Sequence, residues 1–128
     1  MIFSVWRRVS KSASRPILSG EADGGGQSLR ILLFIPCLAD QFAPKAAEAT
    51  ALLLEHLGCE VIFPEGQTCC GQAHRNSGDE EAARAMVLRM AQIFEGDEWI
   101  VTPSGSCAAM ITRHALELFG SESVVPAN

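Results

Sequence analysis

The chain alternates short, nearly unbroken apolar runs with longer stretches whose apolar residues recur at helical spacing. Residues 30–36 (RILLFIP) are apolar almost throughout, the pattern of a strand covered on both faces in a parallel sheet. Pro44 opens a helical stretch, PKAAEATALLLEHLG, with proline near its first turn and Gly58 as a C-terminal stop. Ala46, Ala49, Leu53 and Leu57 share one face of that helix and form its expected buried stripe. Residues 59–63 (CEVIF) predict a second strand ending at Pro64. After a loop, Asp79, Glu80 and Glu81 place acidic groups at a helix start, where they complement the helix dipole, and that helix runs to about Phe94 before Gly96. Met86, Met90, Ile93 and Phe94 supply its stripe. Residues 99–102 (WIVT) predict a third strand ending at Pro103, and a last helix runs from near Ser106 to Gly120.

Strand and helix therefore alternate three times. The fold class this implies is α/β, a three-layer Rossmann-like parallel sheet with right-handed crossovers. Three strands make a thin sheet with open edges, and the tail VVPAN reads as the beginning of a fourth. The domain is accordingly expected to be one half of a two-domain module.

Composition adds a boundary. Of the 128 residues 48% are hydrophobic and 20% charged, the balance of a globular domain, and the formal charge is −5. Residues 1–30 carry +3 of it, which leaves −8 for the rest. Residues 1–29, rich in serine and glycine and ending near Gly24-Gly25-Gly26, read as a flexible basic leader, and residues 30–128 as a single domain. The acidic body argues against nucleic-acid binding, and no apolar run reaches the roughly 20 residues of a membrane-spanning helix. Five cysteines cannot all pair within one chain. Without a secretory leader they read as cytoplasmic thiols with metal or redox chemistry.

The strand assignments sort these cysteines. Ligands of open parallel sheets bind at the carboxyl ends of the strands. Cys37 follows the first strand, Cys69 and Cys70 follow the second, and Cys107 follows the third. Cys59 begins the second strand, at the opposite edge, and is expected to be a small buried apolar residue. Four thiolates suit an iron–sulfur cluster or a tetrahedral zinc, and the same thiols could carry disulfide exchange. Gly71 beside the vicinal pair allows unusual backbone angles and close approach of an inorganic group. Ser104, Gly105 and Ser106 place Cys107 at a helix amino terminus, whose N–H groups could bond cluster sulfurs or a small anion. His74 is within reach as a substitute ligand. The loop holding Cys69, Cys70 and Gly71 is expected to have little to order it apart from a bound group.

The stretches LLFIPCLADQF, LLLEHLGCEVIFPEGQTCCGQ, HRNSG and VTPSGSC resemble the cysteine-rich CCG domain family. The likeness is nearest to its lactate-utilization and glycolate oxidase iron–sulfur subunits, with the heterodisulfide reductases as more distant relatives. The pattern is a lone cysteine, 31 intervening residues, Cys69-Cys70-Gly71, then 35 residues to Cys107. The resemblance implies that Cys37, Cys69, Cys70 and Cys107 are ligands of an iron–sulfur cluster, with 4Fe–4S the expected type, and that the domain usually occurs twice per chain. Met110 stands where the fuller Cys-x-x-Cys motif has a fifth cysteine, so a five-cysteine non-cubane cluster is not expected.

No Rossmann glycine fingerprint, Walker A sequence or Ser-His-Asp spacing is present. The function that the resemblance implies is that of a cytoplasmic redox subunit, not catalytic alone, passing electrons within a lactate- or glycolate-oxidising complex. Its expected partners are the other subunits, a second CCG domain or another copy of itself. A zinc-binding structural or regulatory domain and a thiol-disulfide redox protein are the alternatives.

Overall fold

The computed structural model describes residues 28–96 and 98–120. The expected leader, apart from its last two residues, and the tail fall outside them. The strands are β1 (Arg30–Leu33), β2 (Glu60–Ile62) and β3 (Trp99–Val101), all parallel, in the order β2-β1-β3. Between β1 and β2 lie α1 (Cys37–Phe42) and α2 (Pro44–His56). Between β2 and β3 lie α3 (Gln72–Ser77) and α4 (Glu80–Ile93). After β3 come α5 (Gly105–Ala109), a π-helical turn (Met110–His114) and α6 (Ala115–Phe119). The architecture is the α/β, Rossmann-like one that the alternation predicts.

β1 is the middle strand, and its alternate residues serve two cores. Leu33 and Ile35 pack with Ala47 and Ala51 of α2 on one face. Leu32 and Phe34 face the other side, with Ala83, Val87 and Met90 of α4, Phe94, and Ala115 and Leu118 of α6. Phe34 is wholly buried and meets Phe94 edge to face, with ring centroids 5.7 Å apart. The apolar run of β1 is thus explained by two helical layers, as read from the sequence.

The α4 stripe is where its periodicity puts it, with Met90 and Phe94 buried and Met86 and Ile93 partly so. The α2 stripe is not. Ala46, Ala49, Leu53 and Leu57 face outward, Leu53 being 58% exposed, and Ala47 and Ala51 face the sheet with Leu54 beside them. In ALLLEHL almost every phase of the helix offers an apolar stripe. Two alanines a turn apart let the helix axis approach Leu33 and Ile35 closely, and packing selects that face. Two short helices, α1 and α3, were also unanticipated; six residues each is too short for a periodic signal.

Candidate metal centre

The order β2-β1-β3 makes the chain leave β1 toward one edge and return to its other side, so the switch point lies at the carboxyl ends of β1 and β3. All four cysteines predicted to share this edge are delivered there. Pro36 ends the extended stretch after β1, and Cys37 is the first residue of α1. Cys69 and Cys70 close the loop after β2, and Gly71 caps α3. Cys107 is the third residue of α5. Cys59 precedes β2 at the opposite edge as expected, although it is half-buried and not buried.

The thiols meet as pairs. Cys37 lies beside Cys69 and Cys70 beside Cys107; Cys37 also feels Cys107, and Cys70 feels Cys69. Cys70 and Cys107 are 3% and 7% exposed and belong to the core around Phe34, whereas Cys37 and Cys69 stand half-buried at its rim. Among the described residues no three His, Cys, Asp or Glu side chains stand close enough together to hold a single metal ion. What converges here is two thiol pairs.

Burial pushes the Cys70 thiol up to about 12, helped by the neighbouring Cys107 and Cys69 and opposed by the Gln72 amide. The Cys37 thiol is raised for the same first reason, by burial, then by Cys69, and is opposed by the Leu38 amide. Negative charge at this edge therefore calls for a positive partner, and among the described residues no cationic side chain acts on either of these two thiols. Backbone amides partly compensate: Leu38 to Cys37, Gln72 to Cys70, and the Gly71 N–H to Cys69 Sγ at 3.4 Å. Such N–H···S contacts set the potential of thiolate-bound clusters.

The remaining predicted residues divide. Gly71 has φ +88°, and a Cβ there would lie 3.0 Å from the Ala83 carbonyl oxygen and 3.2 Å from Met86 Cβ. The close approach that its missing side chain allows is to α4, while its N–H serves Cys69. Ser104 Oγ caps α5 by accepting from the Cys107 N–H at 3.4 Å, and Ser106 Oγ lies 3.3 Å from Ser104 Oγ. Gly105 is exposed, with open space about it. His74 lies with Nδ1 3.9 Å from Asp79 Oδ2, and no contact joins it to the thiols. The loop of Cys69, Cys70 and Gly71 has an order of its own, contrary to expectation, because Cys70 is a core residue and Gly71 is wedged against α4.

Two residues escaped sequence reasoning. Gln67 is buried with both ends of its amide bonded to the backbone at the end of β1, at Leu33 and Ile35, and Thr102, directly after β3, holds a buried hydroxyl without a hydrogen-bond partner. A buried hydroxyl left open at a ligand-binding edge is one that a sulfide or other acceptor would satisfy. Met110 is fully buried and belongs to the same core cluster as Cys70 and Cys107. The donor set, the amides around it and this hydroxyl fit an iron–sulfur group.

Gly71→Ala is expected to destabilise the fold by about 2 to 4 kcal/mol, combining the strain of a left-handed backbone with overlap on α4. Gly78 has nearly the same φ, +84°, and nothing within 4 Å of its Cβ, so Gly78→Ala reports the backbone strain alone. Chemical denaturation of both variants measures the difference, and equal midpoints would show that the contact with Ala83 costs nothing.

Comparison with known proteins agrees with the geometry. Lactate utilization protein A of Bacillus thuringiensis (strain Al Hakam) and of Bacillus cereus (strain B4264), and lactate utilization protein A 2 of Bacillus mycoides (strain KBAB4), are each 51% identical to this chain over 86 residues. That stretch is 67% of this chain and 36% of each relative, so the chain spans about a third of the length of the curated relatives it matches. No solved structure matches. The model of the cysteine-rich domain matches residues 31–112, from β1 through all four clustered cysteines into the π turn. With the match covering most of its length and Cys37, Cys69, Cys70 and Cys107 all within it, the chain belongs to the cysteine-rich CCG domain family.

Proposed function

We propose that this chain is the cysteine-rich unit of an iron–sulfur subunit that carries electrons in lactate utilization. Cys37, Cys69, Cys70 and Cys107 would hold the cluster, with 4Fe–4S the type that suits four thiolates. The observation that carries the reading is the delivery of four thiols from three strand ends to one edge of the sheet, as two neighbouring pairs. The names of the relatives support lactate as the system served. The oxidation of the hydroxy acid itself, lactate or glycolate, would belong to partner subunits, and a second CCG domain would complete the module. A cytoplasmic location suits free thiols, and no described helix is long and apolar enough to cross a membrane.

A bound cluster would supply one-electron storage. The chain's own residues do the rest: the Leu38, Gly71 and Gln72 amides donate to three of the four sulfurs, and the core around Phe34 keeps water from Cys70 and Cys107. Zinc on the same four sulfurs is the alternative occupant, which metal analysis distinguishes.

Anaerobic reconstitution followed by iron, sulfide and zinc analysis tests the proposal. The expected result is a brown protein with a broad visible band and an electron paramagnetic resonance signal on reduction. Iron and sulfide below about 0.3 per folded chain, or one zinc in a colourless protein that unfolds with chelator, would sink it.

A further inference from the structure

The β1–β2 ladder stops at the pair Leu32 and Ile62, because the chain turns away after Phe63 at Pro64. The backbone of β1 nevertheless stays in sheet geometry for two more residues. On the β3 side the Phe34 N–H donates to the Val101 carbonyl at 2.9 Å. On the β2 side the partner is a side chain. Gln67 Nε2 donates to the Leu33 carbonyl at 2.7 Å, and Gln67 Oε1 accepts from the Ile35 N–H at 3.0 Å. In a parallel ladder the strand residue opposite position 34 would bond the carbonyl of residue 33 and the amide of residue 35 in this way. The Gln67 carboxamide stands in for one peptide of the missing strand.

Its place is specific to the site. Cys37 lies two residues after Ile35, and Cys69 lies two residues after Gln67. The double hydrogen bond therefore ties the two segments together two residues before each of the neighbouring thiols at the rim. Gln67 is 8% exposed, so water does not compete for either bond. We infer that Gln67 is a positioning residue that sets the separation of Cys37 and Cys69. The inference deepens the proposed function and rests on those two thiols sharing one site, but the positioning is independent of what the site holds.

The test uses the full chain, reduced and metal-free, with the thiol-bridging reagent dibromobimane and mass-spectrometric mapping of the bridged pairs. Gln67→Leu and Gln67→Met roughly keep the volume and remove both bonds. Bridging of Cys37 to Cys69 is expected to fall roughly tenfold in both, the scale on which supporting hydrogen bonds act at ligand sites, with bridging of Cys70 to Cys107 unchanged. That selectivity separates positioning from general loosening, which would slow both pairs. Folded variants with parental Cys37–Cys69 bridging, or variants in which both pairs slow together, would overturn the inference. Should neither variant fold, hydrogen exchange of the parent decides: the Ile35 amide must be among the slow exchangers, and fast exchange there overturns the inference. Failure of iron to bind would defeat the proposed function without touching these outcomes.

Discussion

Serine substitution at any one of Cys37, Cys69, Cys70 or Cys107 is expected to lower reconstituted iron to roughly a tenth of the parent's or less, because a cluster left with three thiolates has an open iron site. Cys59→Ser, at the other edge of the sheet, should bind as the parent does. The four variants should differ in stability. Cys37 and Cys69 are half-buried at the rim, so their variants should unfold near the parental denaturant midpoint. Cys70 and Cys107 sit in the core, and a serine there buries a hydroxyl among Phe34, Met90 and Met110, costing about 1 to 3 kcal/mol unless it finds a partner. Iron and sulfide analysis beside a denaturation curve for each variant separates ligand loss from unfolding. Parental iron in Cys37→Ser or Cys69→Ser would remove that residue from the ligand set.

Phe34→Ala should give the largest loss of stability, about 3 to 5 kcal/mol, a large part of the 5 to 15 kcal/mol that holds a domain together. Phe34 is wholly buried on the middle strand, and its ring separates β1 from α4 and from the helical turns that follow Cys107. Removing it leaves a cavity against the Phe94 ring, within the core cluster that also holds Cys70 and Cys107. Phe42, on α1 and 79% exposed, provides the contrast: Phe42→Ala should change stability by no more than about 0.5 kcal/mol. Guanidinium denaturation followed by tryptophan emission or circular dichroism measures both. A loss below about 1 kcal/mol for Phe34→Ala would mean that the two helical layers do not depend on this ring.

Much of the site was legible in one dimension. The apolar run of β1 announced a strand covered twice, the Pro and Gly stops placed the strand ends, and the rule that ligands gather at carboxyl ends put Cys37, Cys69, Cys70 and Cys107 together and Cys59 apart. These signals are local, set by backbone periodicity and chain direction, and so they survive without knowledge of neighbours. The α4 stripe was legible for the same reason, since only one of its faces is apolar enough to bury.

Tertiary structure decided what local pattern leaves open. α2 is apolar in several phases, and its rotation was fixed by Ala47 and Ala51 fitting against Leu33 and Ile35, which left Leu53 and Leu57 outside. Gly71 reads in sequence as room for an inorganic group, but the space it leaves is taken by α4. Which thiol meets which, Cys37 with Cys69 and Cys70 with Cys107, depends on the strand order β2-β1-β3. Gln67 is the clearest case: its two bonds reach 32 and 34 residues back along the chain, and only the early end of the β1–β2 ladder leaves the backbone groups that it satisfies. Sequence determined the edge at which the cysteines gather, because strand direction is a property of the chain; packing determined their pairing and support, because those depend on which surfaces close against each other.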